Sequence, residues 1–236
     1  MIVWLASYPR SGNTFFRVVL HRLYRVPTYT VYDVDGVAEQ IGPELMDARA
    51  RPAAFEQMRD SSEVFYVKTH RRRDDPVVSE QDRAICLVRD GRDSVVSWAR
   101  LGTRHLADQP DYADRFAAEA RTIITRRTGG TGGWGQNVRS WQESTAPAPV
   151  WVRFEDLIAV PESTVQAAVT AVAPELTPQP APLPSFNDLQ AHDPDFFRTG
   201  TTGTHRTELP PDLHDLFWRQ PDNAEAMHHL GYRRTT

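Results

Sequence analysis

Apolar positions along the chain gather into short continuous runs, separated by longer stretches of helical period. Residues 2–7 (IVWLAS), 63–68 (EVFYVK), 84–88 (AICLV) and 150–153 (VWVR) are runs of strand length with little alternation. That is the pattern of parallel strands covered on both faces. Residues 13–25, 91–101, 112–127 and 161–173 space their apolar side chains at helical intervals, and Pro161 suits the first turn of the last of these. Ser11 or Asn13 is a candidate cap for the first helix. Further helices are predicted over 136–144, 211–219 and 222–230. Residues 128–135 (TGGTGGWG) hold five of the thirteen glycines and predict a flexible loop. Residues 174–184 hold five prolines and predict an extended surface segment. Strands alternating with helices define an α/β chain. We expect one domain over 1–236, with a mainly parallel central sheet flanked by helices.

Composition narrows the function. The 236 residues are 40% hydrophobic and 25% charged, an ordinary globular balance with enough length for a real core. A net charge of −4 argues against a nucleic-acid partner. No apolar run approaches a membrane span, and no leader-peptide pattern opens the chain. The lone Cys86 excludes an internal disulfide framework and a Cys-rich zinc site, so a reducing, cytoplasmic setting is expected. No His/Cys/Asp cluster has ligand spacing. His228 and His229 are adjacent and would point apart on a helix, so no metal is expected. Of the 27 Lys and Arg residues, only Lys68 is a lysine. Lys and Arg are different donors, so a compact ammonium used once invites a functional reading; codon bias is the plain alternative.

Four segments carry candidate chemistry. Ser7-Tyr-Pro-Arg-Ser-Gly12-Asn13-Thr14 lies between a strand and a helix and matches a phosphate loop in its second Gly and its Thr. Its backbone N–H groups and the helix dipole favour an anion, with Arg10 and Thr14 as added donors. Asn13 stands where a nucleotide-hydrolysing loop has Lys, which argues against ATP or GTP hydrolysis. The plain alternative is a capped strand–helix turn. Lys68-Thr69-His70 ends a strand, where ligand crevices of open α/β sheets lie. Alternation puts Lys68 and His70 on one side, a cation beside a base suited to deprotonating a hydroxyl. Arg89, at the next strand end, and Ser97, two helical turns on, could hold a second phosphate. The alternative there is a solvated cluster of Arg89, Asp90, Arg92 and Asp93. Finally, Phe196-Phe-Arg-Thr-Gly-Thr-Thr-Gly203-Thr-His-Arg206 reads as an anion-gripping loop.

In this order the pieces resemble the cytosolic-type sulfotransferases that use 3′-phosphoadenosine 5′-phosphosulfate (PAPS). SYPRSGNTFFR is similar to the family's 5′-phosphosulfate loop, with Arg10 in place of Lys. VKTH is similar to its Lys-Thr-His segment, LVRDGRDSVVSW to its 3′-phosphate motif, and VRFEDLIAVP to its Tyr-Glu-Asp-Leu stretch, with Phe154 for the Tyr. FFRTGTTGTHR is similar to its Arg-Lys-Gly-x-x-Gly loop, with Thr199 for a basic residue. The resemblance runs from residue 2 to about residue 231 and implies a P-loop-like nucleotide-binding architecture.

It also implies roles. Arg10 would contact the transferring sulfonate, and Ser11, Gly12, Asn13 and Thr14 would cradle the phosphosulfate. Phe15 and Phe186 would flank the adenine. Arg89, Ser97, Arg198, Thr199 and Gly200 would hold the 3′-phosphate. His70 would deprotonate the acceptor, with Lys68 and Arg10 balancing charge, and adenosine 3′,5′-bisphosphate would leave. Arg153 is a candidate substitute for the missing Tyr hydroxyl. The acceptor is expected to be a small hydroxyl compound, with a secondary metabolite of a high-GC bacterium one source. Its pocket is expected to draw on Trp134, Trp141 and the 102–135 segment with Tyr112 and Phe116. A homodimer is compatible with all of this. The rival readings are a P-loop-type nucleotide-dependent kinase and a catalytically inactive nucleotide-binding protein.

Overall fold

The computed structural model describes residues 1–144, 147–194, 197 and 200–234, leaving out the side chains of Ala38, Glu39 and Phe186. The chain opens with β1 (Ile2–Ser7), α1 (Asn13–Tyr24), β2 (Thr28–Thr30), α2 (Gly36–Ile41), α3 (Phe55–Asp60), β3 (Phe65–Thr69) and β4 (Arg83–Val88). It continues with α4 (Gly91–Thr103), a 3₁₀ turn (Arg104–Leu106), α5 (Tyr112–Thr125), α6 (Trp134–Gln142), β5 (Val150–Arg153), α7 (Phe154–Ala159) and α8 (Pro161–Val172). Four helices close it: α9 (Phe186–His192), α10 (His205–Glu208), α11 (Pro211–Trp218) and α12 (Pro221–His229).

The five strands pair in parallel in the order β2-β3-β1-β4-β5. β1 is central, and its register sets Leu5 beside Lys68 on one side and Ile85 on the other. The carboxyl ends of β1, β3 and β4 therefore lie level, at the edge where such sheets bind ligands. Both faces are covered, which is why the strands read as unbroken apolar runs. Val3, Leu5, Tyr66, Ile85 and Leu87 pack on α1 and α8 through Phe16, Leu20, Val165 and Val169. Trp4, Ala6, Val67 and Cys86 point the other way, against Met58 of α3 and Trp141 of α6.

The β1–α1 turn needs the left-handed backbone at Arg10 (φ 67°) and Gly12 (φ 95°). A Cβ on Gly12 would come within 2.8 Å of the Phe154 ring, so the position admits only glycine. Gly12 itself is the N-cap residue of α1, with no side-chain cap. Neither Ser11 nor Asn13 plays that part.

The predicted loop over 128–135 ends early, because α6 begins at Trp134 rather than at 136 and stops at 142. Gly135 lies inside it as a packing residue, not a flexible one. A Cβ there would fall 2.2 Å from the Asp222 backbone, so the glycine lets α6 lie against α12. The cluster of Arg89, Asp90, Arg92 and Asp93 is buried, contrary to the solvated alternative. Asp90 caps α4 through Arg92 N and takes a bidentate pair from the Arg92 guanidinium at 3.0 and 2.7 Å. Pairing of this kind makes burial of the charges tolerable.

Candidate active site

The loop after β1 lies under α4. Tyr8 is buried, edge-on to Trp98 at 5.4 Å. α1 has no acid in its first turn, so nothing offsets the positive end of its dipole. The Asn13 amide donates to Leu5 O (2.9 Å) and Ser7 Oγ (3.2 Å). Its side chain therefore braces the turn from beneath instead of reaching for a phosphate. Ser11 Oγ sits 3.4 Å from Ser94 Oγ, also turned inward. Of this loop, Arg10, Gly12, Asn13, Thr14 and Phe15 line a cavity of about 340 Å³, and Ser11 does not.

Lys68 and His70 line the same cavity, as alternation along the β3 end requires. Lys68 is buried, and its Nζ donates to Asp35 Oδ1 at 2.9 Å. Arg17, fully buried on α1, donates to Asp35 Oδ2 at 2.6 Å and to Thr28 Oγ1 at 2.9 Å. Burial works to raise the Asp35 carboxyl, but Arg17 and Lys68 outweigh it and hold it below the usual range. Burial likewise pushes the Lys68 ammonium down, against the pull of Asp35. His70 Nδ1 lies 2.9 Å from Ser7 O and 3.1 Å from Ser7 Oγ. A carbonyl only accepts, so Nδ1 carries the proton and Nε2 keeps its lone pair toward the cavity. Burial first, then the Lys68 charge, lower the imidazole to about 3. Tyr32 OH accepts from His70 N at 3.0 Å, and Asn137 Nδ2 donates to His70 O at 2.9 Å. The imidazole is thus fixed by its backbone as well as its ring.

Arg89 leaves β4 buried, 4.3 Å above the Phe154 ring. Its guanidinium donates to Thr201 O (2.9 Å) and Arg10 O (3.4 Å), while the buried Nε has no partner among the described residues. Arg10 Nε donates to Ser97 Oγ at 3.0 Å, so two residues assigned to different ends of the donor touch each other. Asp93 ties the 200–205 segment to α4, accepting from Gly203 N (2.6 Å), Thr204 Oγ1 (3.1 Å) and His205 N (2.9 Å). Gly200 lines the cavity. Arg198 and Thr199 lie outside the described residues, as does the side chain of Phe186.

Trp134, Trp141, Phe116 and Tyr112 do not line the cavity. Trp134 is buried against Phe217, Trp141 packs under the sheet, and Phe116 belongs to the core with Tyr112 packed against it. Val37, Trp98, Leu101, Ile158 and Phe197 form the apolar wall instead. Arg153 is also elsewhere, donating to Leu230 O and stacked on Tyr232. Sequence reasoning missed Asp35 as well. A buried lysine calls for a counter-ion, but only the fold selects Asp35 over Asp33. Among the described residues, every charged side chain lining the cavity is cationic or His70. The arrangement can hold a polyanion and take a proton from a hydroxyl beside it.

A parallel sheet with an anion-binding turn after its central strand defines a P-loop-like nucleotide-binding protein. A model of the sulfotransferase domain family matches residues 2–170, and the chain belongs to that family of enzymes. Mouse sulfotransferase SULT7A1, solved in complex with PAP, superposes with a TM-score of 0.60 at 16% identity, over 97% of this chain and 88% of that one. Retinol dehydratase, in complex with androsterone and inactive cofactor PAP, gives 0.53 at 16% over 96% and 80%. The sulfotransferase domain from the curacin biosynthetic pathway gives 0.53 at 14% over 98% of both chains. At these identities the likeness is one of fold. No curated protein sequence matches the chain. Among the described residues, no helix is long and apolar enough to cross a membrane, and no three His, Cys, Asp or Glu side chains are grouped to hold a metal ion.

Proposed function

We propose that the protein transfers the sulfonate of PAPS to a hydroxyl of a small-molecule acceptor, with His70 as general base and without a metal. The observation that carries this is the convergence of three neighbouring strand ends on one cationic cavity: the β1 loop, Lys68 with His70, and Arg89. The cavity falls within the usual size of cofactor sites. Its Arg89 Nε, without a partner among the described residues, and its α1 terminus, without a side-chain cap, fit a donor with two separate anionic groups.

On this reading the loop from Arg10 to Thr14 holds the 5′-phosphosulfate, mainly through backbone N–H groups at Ser11 and Asn13. Arg89, Ser97 and Gly200, with Arg198 and Thr199, hold the 3′-phosphate, and Phe15 and Phe186 flank the adenine. The donor supplies the activated sulfonate. His70 Nε2 takes the acceptor proton while Nδ1–H stays on Ser7 O. A base lowered to about 3 is weak by itself. Anionic charge nearby offsets Lys68 and strengthens it when it is needed. Lys68 and Arg10 balance the charge that builds on the leaving phosphate. The apolar wall of Trp98, Leu101 and Val37 keeps water out and suits an acceptor with an apolar body, a secondary metabolite being one source. We take residues 1–236 as one domain working in a reducing cytoplasm, alone or as a homodimer.

The kinase reading needs an amine at position 13, where the Asn13 amide is spent on Leu5 O and Ser7 Oγ. An inactive nucleotide binder would have no use for a base so firmly placed.

Calorimetry with adenosine 3′,5′-bisphosphate and adenosine 5′-monophosphate tests the donor. A charge-assisted hydrogen bond contributes about 1.5–3 kcal/mol, so a 3′-phosphate held by Arg89, Arg198 and Ser97 together should be worth at least about a hundredfold in affinity. Arg89→Ala should close most of that gap. Equal weakening of both nucleotides would make Arg89 structural. Labelled PAPS screened against phenols, alcohols and glycosides then identifies the acceptor, and transfer to none of these classes counts against the reading.

A further inference from the structure

We infer that Asp35 is a positioning residue for this reaction: it anchors the Lys68 ammonium at the cavity wall through a buried carboxylate shared with Arg17. This rests on the sulfonate-transfer reading above. Lys68 is the only lysine among 27 cationic Lys and Arg side chains, and it is buried at a β3 position paired with Leu5 and Thr30. Those two neighbours give it no charge partner. Asp35, in the segment after β2, receives Lys68 Nζ at 2.9 Å on one oxygen and Arg17 at 2.6 Å on the other. Both oxygens are used, and Asp35 is nearly as buried as Lys68.

The charges do not cancel. Two cations share one anion, so the trio keeps a surplus positive charge that only Lys68, which lines the cavity, can present to a ligand. The other groups facing Lys68 are Arg17 from α1 and His70 on its own strand, with Arg10 and Arg89 in the same cavity. Arg17, Arg10 and Arg89 oppose a second cation, and the neutral His70 adds no charge. Asp35 is the one described group that favours it. An arginine is not an equivalent replacement for Lys68, because its larger guanidinium fixes its donors in one plane, whereas the compact ammonium can turn one N–H to Asp35 and another to the ligand.

The single lysine makes the test direct. Protein grown with ¹⁵Nζ,¹³Cε-lysine gives one side-chain resonance, which is Lys68. In the wild type it should report an ammonium at neutral pH and should move on adding PAPS. In Asp35→Asn its titration midpoint should fall by about one pH unit or more, as for loss of an opposite charge in contact. Asp35→Glu should restore most of it. Arg17→Met removes the competing cation and leaves Asp35 to Lys68 alone, so it should raise the midpoint, and it serves as the readout if Asp35→Asn does not fold. An unchanged midpoint in Asp35→Asn, or in Arg17→Met where that variant is used, overturns the inference and leaves the donor reading standing. A wild-type resonance indifferent to PAPS overturns the donor reading and, with it, the role given to Asp35.

Discussion

His70 is the residue on which the proposed chemistry turns. Its ring is oriented by a backbone carbonyl, Ser7 O, and its own backbone is gripped by Tyr32 and Asn137. An asparagine can repeat the bond to Ser7 O but cannot accept a proton. His70→Asn should therefore lower turnover by roughly 10²- to 10⁴-fold and leave the affinity for adenosine 3′,5′-bisphosphate unchanged. Turnover with labelled PAPS and calorimetry separate the two effects. Near-normal turnover would remove His70 from the mechanism.

Among the elements, α4 organises most of the site. Asp90 caps it, Ser97 receives Arg10, Trp98 and Leu101 form the apolar wall, and Asp93 clamps the 200–205 segment with three accepted hydrogen bonds. Asp93→Asn turns an amide donor toward groups that are themselves donors. It should cost about 1–3 kcal/mol of stability and weaken adenosine 3′,5′-bisphosphate more than the 5′-monophosphate, because Thr201 O would release Arg89. Urea midpoints and calorimetry check both effects, and no change in either would show that the segment is held by other contacts.

The four longest-read strands, and the helices around them, were legible in the sequence because each has enough residues for its period to show. β2, with three residues, and α2, α3, α7, α9 and α10, with seven or fewer, are too short for that and owe their shape to packing. The site divides the same way. Arg10, Lys68, His70 and Arg89 stand just past apolar runs, where a sheet must end and a crevice must open. Asp35, Trp98 and Leu101 have no such marker, since their places follow from which elements the fold sets side by side. Trp134 and Trp141 misled because large aromatic side chains fill cores as readily as they line pockets.

For the whole molecule, two buried histidines contribute to the response to acid. Burial lowers His70 to about 3 and His205 to about 4, the latter despite the pull of Asp90. Both lie below the ordinary histidine value near 6.5, so the unfolded chain binds more protons in between. Their contribution to stability is complete above about pH 6.5 and is lost as pH falls toward 4 and then 3. Urea midpoints should hold from about pH 8 to about pH 6.5 and fall from there to about pH 4, and His205→Gln should flatten that fall. A variant with the wild-type slope would show that His205 is protonated as readily in the native state as in the unfolded chain.

The central place of β1 has a consequence for synthesis. Its two neighbours are residues 65–69 and 83–88, both translated well after it. At roughly 5–20 residues per second, the apolar segment IVWLAS waits about 4–16 s before both are made. Throughout that interval α1 can cover one face of the segment but neither edge, so both edges stay open to pairing with another copy until β3 and β4 arrive.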